Sequence, residues 1–561
     1  MKQLGNLVED RWIEGTGEGT TLYNAINGVP VALTSSDGID IQAMYGYARS
    51  TGGYALRKMT FQERGIMLKK LALHLHSIKN KFYTVSSETG ATKIDSWIDI
   101  EGGIGNLFAN ASLRRKLPDT SFAVDGDFIP LSKKGTFGGH HILVPKEGVA
   151  VHINAYNFPI WGMLEKIAVN LLAGVPAIVK PATVTSFLTE FMVREIHASG
   201  ILPKGALQLV CGSARDLLDF VDERDVVTFT GSASTGQALK VHPRIIENSV
   251  PFNLEADSLN AAILGPDAGP GTPEFDLFVK EIRNEMTVKC GQKCTAVRRI
   301  MVPEQHIDVF QEHLISQLSK VVIGDPSTEG VRMGSLVGQS QREEVRAQIS
   351  ILKEESEVVF GSPDVVDVRG ADSEKGAFMS PILMRVKNVN DAVKVHEVEA
   401  FGPVSTVMPY STVSEAVDLS KKGRGSLCCS IATHDPEVAK EFVRNAASMH
   451  GRILVLDRES AKESTGHGSP LPLLVHGGPG RAGGGEEMGG LRGIRHYMQR
   501  TAIQGHPSML SAITEQYQPG SVQPESAPHV FRKHFEELNV GDTVTTAKHT
   551  VTEADITNFA N

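Results

Sequence analysis

The chain has 561 residues, of which 41% are hydrophobic and 22% are charged, and its formal net charge is −9. This composition is typical of a globular protein, and the length corresponds to about three to four structural units of roughly 100–200 residues each. The acidic balance disfavours a nucleic-acid partner, which usually requires a basic surface. No run of about 18 apolar residues occurs, so the sequence predicts no membrane-spanning helix and no membrane partner.

The amino terminus and the cysteines indicate a cellular compartment. The first thirty residues carry acidic side chains and no apolar core segment, so they do not predict a signal peptide. The five cysteines are odd in number and form no spaced framework, which is typical of a reducing compartment. They are Cys211, Cys290, Cys294, Cys428 and Cys429. We therefore expect a cytoplasmic enzyme or scaffold.

The first half of the chain predicts an α/β unit. Residues 61–90 form a predicted pair of helices, because apolar side chains recur there at i, i+3 and i+4. From about 145 to 255, short β-branched runs (GVAVHIN, VPAIVKPA, ALQLVCGS and DVVTFTGS) alternate with helical stretches such as LTEFMVREIHASG, which ends on Gly200. This alternation predicts a parallel, doubly wound sheet.

The second half of the sequence predicts another α/β unit, followed by a loop, an extended strand and a linker. Strands RRIMVP and PVSTVMPY and helix HIDVFQEHLISQLSKV lie between about 256 and 455. The glycine-dense segment HGGPGRAGGGEEMGG is predicted to be a loop, RHYMQRTAIQG an extended edge or arm strand, and EQYQPGSVQPESAPHVFRK a linker. The last thirty or so residues predict a strand pair and a helix start, where Thr550 and Glu553 fit a capping box, but are too few for a core of their own.

The stretch KCGQKCT at residues 289–295 contains two of the cysteines. A zinc site needs about four ligands, and no second Cys/His pair accompanies Cys290 and Cys294. A redox pair is usually C-x-x-C, which this spacing does not match. Two buried, inert cysteines remain an open interpretation. One cysteine could instead be a nucleophile if the fold supplies an oxyanion hole and a base.

Two segments offer those groups. In INAYNFPIWG, Asn157 lies between a strand end and a proline, where its amide could donate to a developing oxyanion; a turn-capping role is the plainer interpretation. In VPFNLEADSLN, Glu255 ends an apolar run, and such semi-burial predicts a raised pKa suited to a general base. A solvated or paired glutamate remains the alternative.

Three further segments predict contacts with a nucleotide cofactor. In DVVTFTGSASTGQALK a strand passes through Gly231 and Ser232 into a helix, whose N-terminus suits a phosphate. In AIVKPATVTS, Lys180 ends a strand and could hold ribose hydroxyls, whereas in VEAFGPV, Glu399 and Phe401 precede a Gly-Pro turn. Each segment alone is weak, because surface lysines and turns are common.

Their order along the chain is specific. The succession NFP, KPA, FTGSxxxG, Glu255, GQxC and ExFGPV resembles the aldehyde dehydrogenase family over roughly residues 1–510. The resemblance implies that Cys294 is the nucleophile, Asn157 the oxyanion donor and Glu255 the base for deacylation, with Cys290 a bystander. It also implies a set of cofactor contacts and no metal. The cofactor contacts are Lys180, Thr183, Thr230, Gly231, Ser232, Gly236, Glu399 and Phe401.

One departure from the family pattern bears on the cofactor. Many members have glutamate where this chain has Thr183, and that carboxylate would repel a 2′-phosphate by about 4 kcal/mol at about 4 Å and an effective dielectric near 20. With Thr183 the repulsion is absent, so NADP is the predicted cofactor.

The resemblance also implies an architecture. The NADP-binding domain is predicted at 1–122 and 145–253, and the catalytic domain at 254–470. An oligomerisation arm is predicted at 123–144 and 471–510, followed by a linker at 511–530. The family arm extends the sheet of a neighbouring subunit, so a homodimer or a multiple of dimers is expected.

Within the family, three segments are similar to the bifunctional ring-opening enzymes of bacterial phenylacetate degradation, which join an aldehyde dehydrogenase to a MaoC-like hotdog hydratase. They are GVAVHINAYNFPIWGMLEK, NLEADSLNAAILGPDA and FEELNVGDTVTTAKHTVTEADI. This likeness implies oxidation of a CoA-linked semialdehyde, 3-oxo-5,6-dehydrosuberyl-CoA semialdehyde, and a truncated hotdog fragment at 531–561 without hydratase activity.

Four alternatives stay open. They are a 3,4-dehydroadipyl-CoA semialdehyde dehydrogenase, a CoA-acylating dehydrogenase, a cysteine hydrolase and a non-catalytic family member retained as a structural or binding protein. Glu255 disfavours the CoA-acylating dehydrogenase, and no histidine motif for Cys294 supports the hydrolase. The intact nucleophile and base disfavour the non-catalytic member. Lys133, Lys134 and Arg369 are unranked candidates for CoA docking.

Overall fold

The computed structural model describes residues 1–213 and 216–521. Most of the predicted linker, the predicted fragment at 531–561 and the capping pair Thr550 and Glu553 lie outside the described residues. Backbone contacts divide the chain into two units. The first comprises Met1–Ala123 and Leu143–Gln499, and the second contains Val124–Ile142 and the described residues from 500 to 521.

The strands of the described residues are, in chain order, β1 (Lys2–Gln3), β2 (Gly5–Val8), β3 (Arg11–Glu14), β4 (Thr20–Tyr23), β5 (Pro30–Thr34), β6 (Ala123–Pro130), β7 (Gly138–Pro145), β8 (Ala150–Ile153), β9 (Ala177–Lys180), β10 (Leu207–Leu209), β11 (Val226–Thr230), β12 (Phe252–Glu255), β13 (Asn260–Leu264), β14 (Val297–Pro303), β15 (Ser356–Phe360), β16 (Ile382–Val386), β17 (Val404–Tyr410), β18 (Ser426–Ala432), β19 (His450–Leu456), β20 (Val475–Gly477), β21 (Glu486–Met488) and β22 (Met498–Gly505).

The α-helices of the described residues are α1 (Ile41–Tyr47), α2 (Tyr54–Lys58), α3 (Phe61–Ser77), α4 (Asn80–Ser87), α5 (Lys93–Ser112), α6 (Pro159–Ala173), α7 (Ser186–Ser199), α8 (Ala233–Lys240), α9 (Pro243–Glu247), α10 (Pro273–Thr287), α11 (Ile307–Leu318), α12 (Gln339–Leu352), α13 (Val413–Lys421), α14 (Pro436–Ala446), α15 (Leu491–Arg495) and α16 (Pro507–Thr514). The predicted helix pair at 61–90 is confirmed by α3 and α4. Within the described ranges, no helix is both long enough and apolar enough to cross a bilayer.

The first large sheet has the strand order β12-β11-β8-β9-β10-β2-β3. Strands β12, β11, β8, β9 and β10 are parallel, which confirms the predicted parallel sheet. The N-terminal strands β2 and β3 extend it in antiparallel fashion, an addition that the sequence patterns do not predict. Helices cover both faces: Val179 of β9 packs in one apolar cluster with Leu164 of α6, and Ile178 packs in another with Met44 of α1.

The second large sheet has the order β15-β16-β17-β14-β13-β18-β19 and is parallel except for β15. Its two faces are also covered. Ile263 of β13 packs with Phe442 of α14, whereas Leu264 packs with Phe278 of α10 and Phe310 of α11. Both large sheets are thus buried on each face, as parallel sheets usually are.

The glycine-dense segment is not only a loop. Strands β20 and β21 pair there as an antiparallel hairpin, which corrects the prediction from sequence. Glycine allows the hairpin to approach β12: a Cβ on Gly483 would lie 2.2 Å from the Leu254 carbonyl oxygen, to which the Gly485 N–H donates at 3.1 Å. This contact brings the hairpin beside the end of β12, where Glu255 lies.

The second unit contains a three-stranded sheet in the order β22-β7-β6. β22 confirms the predicted extended strand, and Arg500 bonds Asp125 through Nε and Oδ2 at 2.6 Å. Ile129, Leu131 and Phe137 on this sheet and its turn are exposed. α16 includes residues 511–514, which the sequence assigns to the linker.

Candidate active site

A cavity of about 80 Å³ in the first unit contains Asn157, Glu255 and Cys294 together. We call it the catalytic pocket. Its walls come from the N-terminal half of α6, the ends of β11 and β12, the loop before β14, the segment before β20, and β20 itself. The lining residues used below are Asn157, Trp161, Glu165, Lys166, Thr230, Glu255, Lys293, Cys294 and His476.

The loop that carries Cys294 has an unusual backbone. Lys289 and Cys290 have φ values of 53° and 52°, a left-handed conformation that is unfavourable for residues with a Cβ. The Lys289 N–H donates to Asp95 Oδ1 at 2.7 Å, and its Nζ donates to Thr89 at 3.1 Å. Asp95 and Thr92 form the capping box of α5, so this helix start stabilises the turn that precedes the nucleophile.

The two cysteines of the loop occupy different environments. Cys290 is 1% exposed and packs in an apolar cluster of the second large sheet, and burial raises the pKa of its thiol. Cys294 lines the catalytic pocket and is partly exposed. Burial, and then the charge of Glu255, raise the pKa of the Cys294 thiol well above its ordinary value. The resting thiol is therefore protonated and needs a proton acceptor before it can attack.

Glu255 ends β12 and is 2% exposed. Its Oε2 lies 3.2 Å from His476 Nε2, and the sequence interpretation did not include this histidine. Burial would raise the pKa of Glu255, but the charge and hydrogen bonding of His476, followed by the charge of Lys166, outweigh it and lower that pKa to about 2. The predicted raised pKa is therefore wrong, because the partners come from distant segments.

Three groups meet at one point of the pocket. One ligand atom each of Glu255, Cys294 and His476 lie within 4.8 Å of one another. Such a set could in principle hold a metal ion, but a carboxylate beside a thiol is also what a covalent mechanism requires. The geometry permits proton transfer from Cys294 to Glu255 within the pocket.

The α6 wall supplies a second charged pair. Lys166 Nζ donates to Glu165 Oε1 at 3.2 Å, and Trp161 Nε1 donates to Glu165 Oε2 at 2.7 Å. Lys166 and Glu165 are 3% and 4% exposed, so their charges act at low dielectric on the pocket. Asn157, 7% exposed, lies just before Pro159 begins this helix.

The predicted cofactor contacts follow strand ends of the first large sheet, a region we call the cofactor cleft. Lys180 ends β9, and its Nζ donates to Thr183 Oγ1 at 3.3 Å. Burial lowers the pKa of Lys180 to about 8. Thr183 Oγ1 also donates to the Gly212 carbonyl at 3.4 Å. The structure thus brings the two predicted residues together.

Thr230 ends β11, and Ser232 is the N-cap of α8, where its Oγ accepts from the Thr235 N–H at 3.3 Å. Packing explains the glycine at position 236, since a Cβ added there would lie 2.5 Å from Leu254 Cδ1. The same holds at position 231, where a Cβ added to Gly231 would lie 2.6 Å from Cζ of the Phe229 ring. These glycines allow α8 to approach the sheet.

The start of α8 has an acidic neighbour that the sequence interpretation did not include. The Ala233 N–H donates to Asp257 Oδ1 at 2.7 Å, and Asp257 Oδ2 lies 3.6 Å from Arg481 Nη2. A carboxylate therefore already accepts from one of the N–H groups that were predicted to suit a phosphate.

Glu399 and Phe401 are connected to the nucleophile loop by Arg298, another residue missing from the sequence interpretation. Arg298 Nε donates to Glu399 Oε1 at 3.2 Å, and its Nη2 donates to the carbonyl of Gly291 at 3.0 Å. Its guanidinium also lies 5.3 Å from the centre of the Phe401 ring, which contacts Tyr156 edge to face. Burial raises the pKa of Glu399 to about 7.

The residues present fit a nicotinamide dinucleotide. The Asn154 amide and the Thr230 hydroxyl are buried at the ends of β8 and β11 without a hydrogen-bond partner among the described residues. Buried polar groups without partners are costly, and a bound ligand would satisfy them. Asn154 carries no motif signal beyond its place at a strand end, which is why the sequence interpretation did not include it.

Comparison with known proteins agrees with this chemistry. The sequence profile described as "Aldehyde dehydrogenase family" matches residues 12–503. The 3,4-dehydroadipyl-CoA semialdehyde dehydrogenase of Aromatoleum evansii is 44% identical over 478 residues, which cover 85% of this chain and 93% of that protein. Protein MaoC of Klebsiella aerogenes is 48% identical over 229 residues, covering 41% of this chain and 67% of that protein.

Solved structures share the fold. Betaine aldehyde dehydrogenase of Staphylococcus aureus in complex with NAD+ superposes with a TM-score of 0.77 at 21% identity, over 90% of this chain and 95% of that one. Lactaldehyde dehydrogenase of Escherichia coli has a TM-score of 0.77 at 20% identity, over 90% and 99%. The extent of the profile match and the identity to the Aromatoleum protein lead to one conclusion: this chain belongs to the aldehyde dehydrogenase family.

Proposed function

We propose that this chain oxidises a CoA-linked semialdehyde to the acid with NADP, through a thioester on Cys294. The observation that carries this proposal is the meeting of the Cys294 thiol and the Glu255 carboxylate in one buried pocket that Asn157 also lines. A nucleophile, a base and an amide donor are the protein groups that oxidation through a covalent intermediate needs.

In the first half-reaction, Glu255 accepts the proton of Cys294 as the sulfur bonds to the aldehyde carbon. Asn157 Nδ2 and the Cys294 N–H donate to the developing oxyanion. Bound NADP+ supplies the oxidising power by accepting the hydride from the same carbon. The product on the protein is a thioester of Cys294.

Glu255 then releases to solvent the proton that it took from Cys294. In the second half-reaction, the restored carboxylate takes a proton from water, whose oxygen attacks the thioester carbon. The carbon–sulfur bond breaks, Cys294 leaves as the thiolate and is reprotonated, and the acid is released. The buried position of Glu255 restricts this role to water that enters the pocket. A free thiol of CoA in place of water would give the CoA-acylating alternative.

The choice of NADP rests on Thr183 and Lys180. The Thr183 hydroxyl and the Lys180 amine lie 3.3 Å apart, and together they offer hydrogen-bond donors and a positive charge to a 2′-phosphate. Position 183 carries a threonine, so no carboxylate at this position repels that phosphate. A bound phosphate would also stabilise the protonated form of the Lys180 amine, whereas burial alone destabilises that form.

The choice of a CoA-linked aldehyde rests on relatives and on the resemblance of whole segments. The Aromatoleum relative is named for 3,4-dehydroadipyl-CoA semialdehyde, and its identity covers most of both chains. The segments that resemble phenylacetate ring-opening enzymes, together with the Klebsiella relative, favour 3-oxo-5,6-dehydrosuberyl-CoA semialdehyde. We propose the second substrate and keep the first as its alternative.

We further propose the domain division and assembly that the resemblance implies, with a cofactor domain at 1–122 and 145–253, a catalytic domain at 254–470 and an arm at 123–144 and 471–510. The arm sheet supports a homodimer or a multiple of dimers, because β22 and β6 are its edge strands and edges favour pairing. A cytoplasmic location rests on the cysteine content.

The test is the initial rate of NADP reduction by the purified chain with both CoA semialdehydes and with the free semialdehydes. Faster turnover of the longer, 3-oxo CoA substrate supports the proposal, and faster turnover of the dehydroadipyl compound supports the alternative. Equal rates with and without CoA would contradict the CoA assignment. NAD in place of NADP should give slower turnover, and the reverse would contradict the cofactor assignment.

A further inference from the structure

His476 is a buried histidine beside the catalytic groups that no motif assigns. It is 4% exposed and lies in β20, which pairs with β21. Its Nε2 is 3.2 Å from Glu255 Oε2 and within 4.8 Å of the ligand atom of Cys294. The glycines of the hairpin bring it there, since Gly483 and Gly485 allow the backbone to contact Leu254, the residue before Glu255.

We propose that His476 is a positioning residue that holds the Glu255 carboxylate ionised and turned toward Cys294. This inference rests on the proposed roles of Cys294 and Glu255, but not on the identity of the aldehyde or the cofactor. An imidazole with its proton on Nε2 donates toward Oε2 whether the ring is neutral or charged. The other oxygen, Oε1, is then left for the proton of the thiol or of water.

The need for such a partner follows from burial. A carboxylate with 2% exposure strongly favours its protonated form unless donors or positive charges compensate. A protonated Glu255 could accept a proton from neither Cys294 nor water. Entry of substrate removes still more water from the pocket, so compensation by fixed protein groups is what keeps the base available.

The other charges around Glu255 do not replace His476. Lys166 also favours the ionised carboxylate, but its Nζ donates to Glu165 at 3.2 Å, so part of its charge is neutralised. Lys293 lines the pocket and bonds Glu285 at 2.6 Å. The protonated Cys294 thiol brings no charge. Among the described side chains, His476 has the shortest contact between a basic group and Glu255.

The test compares His476→Phe, which keeps a ring and removes the N–H, with His476→Gln, which keeps an N–H donor at a similar reach. The substrate is p-nitrophenyl acetate, which needs neither aldehyde nor cofactor. The Cys294 sulfur bonds to the ester carbon, p-nitrophenolate leaves, and water then hydrolyses the acetyl thioester with Glu255 as base. The burst of p-nitrophenolate reports acylation, and the steady rate reports deacylation.

The expected result is a pH profile of the steady rate in which the acid limb of His476→Phe moves to higher pH by about one unit or more. At a pH on that limb, deacylation falls about tenfold relative to the unmodified chain, because one pKa unit is a tenfold change in the ionised fraction. His476→Gln should move the acid limb less than His476→Phe does, because it keeps an N–H donor and loses only the charge. Melting temperatures of the two variants establish that both are folded.

Other results are equally decisive. Superimposable acid limbs for His476→Phe, His476→Gln and the unmodified chain would overturn the inference. Loss of the unmodified chain's activity in EDTA would overturn it in favour of a metal held by Glu255, Cys294 and His476. Absence of any burst in the unmodified chain would instead contradict the proposed role of Cys294, which separates the failure of the two proposals.

Discussion

The catalytic pocket and the cofactor cleft lie on the same sheet but partner their buried polar groups in different ways. In the pocket, Glu255 faces His476 at 3.2 Å, and Lys166 faces Glu165 at 3.2 Å. In the cleft, Asn154 and Thr230 have buried polar atoms without hydrogen-bond partners among the described residues. The pocket therefore supplies its carboxylate with a basic neighbour, and both regions keep buried polar atoms for a bound molecule, since Glu255 Oε1 also lacks a hydrogen-bond partner among the described residues.

The difference also appears in proton equilibria. In the pocket, partners overcome burial and lower the pKa of Glu255 to about 2. In the cleft, burial lowers the pKa of Lys180 to about 8, and none of the described carboxylates forms an ion pair with it. Changes in the pocket should therefore affect the chemical steps, and changes in the cleft should affect cofactor affinity and choice.

The largest effect is expected from removal of the nucleophile. Cys294→Ala should lower NADP-dependent oxidation by about 10⁴-fold or more, as deletions of nucleophiles do in other covalent enzymes. Cys290→Ala is the matched control, because Cys290 is buried in an apolar cluster and should keep nearly full activity. Substantial turnover by Cys294→Ala, or its loss in Cys290→Ala, would assign the chemistry to the other cysteine.

The next effect separates the two half-reactions. Glu255→Gln removes the base for both half-reactions, so the first turnover should be slower than in the unmodified chain, and the steady rate should fall further, by about 10²–10⁴-fold, because the thioester accumulates. Stopped-flow absorbance of NADPH formation measures both phases. Glu247→Gln, a change on α9 outside the pocket, serves as the control. A full steady rate in Glu255→Gln would exclude Glu255 from the mechanism.

A smaller effect is expected on the choice between NADP and NAD, with the chemical steps in the catalytic pocket unchanged. Thr183→Glu places a carboxylate beside the proposed 2′-phosphate and should reduce the ratio of kcat/KM for NADP to that for NAD by about tenfold to a few hundredfold. Thr183→Gln has the same length without the charge and should shift the ratio far less. If both variants shift the ratio equally, the charge argument is wrong.

The smallest effect is a pH dependence in the cleft. Because burial lowers the pKa of Lys180 to about 8, the amine is protonated below that pH and loses its charge as the pH rises through it. Affinity for NADP, measured by calorimetry, should therefore weaken severalfold between pH 7 and pH 9. Lys180→Met should bind more weakly and with a flatter pH dependence. A dependence that persists in Lys180→Met would assign it to another group.

The sequence predicts the groups that belong to local motifs better than those that the fold assembles. Asn157, Glu255 and Cys294 each carry a motif, and the strands at 145–255 follow from β-branched runs. His476 lies in a glycine-dense stretch that reads as a loop, and it meets Glu255 only because the β20–β21 hairpin packs on β12. Its effect on the pKa of Glu255 was therefore absent from the sequence interpretation.

Arg298 shows the same limit in another way. It lies in the apolar strand run of β14, where an arginine looks like a surface residue, yet it is 5% exposed and bonds Glu399, Gly291 and Gly402. The N-terminal strands β2 and β3 are too short for a periodic signal and depend on β10 for pairing. Tertiary contacts, rather than local preference, determine these features.

The central claim is that oxidation proceeds through a thioester on Cys294, and intact-protein and peptide mass spectrometry tests it most directly. Glu255→Gln is mixed with the CoA semialdehyde and NADP and quenched in acid. The account predicts one acyl adduct per chain, on the peptide that contains Cys294, and no adduct when NADP is omitted before quenching. Product formation with no adduct, or an adduct on Cys290, would contradict the account.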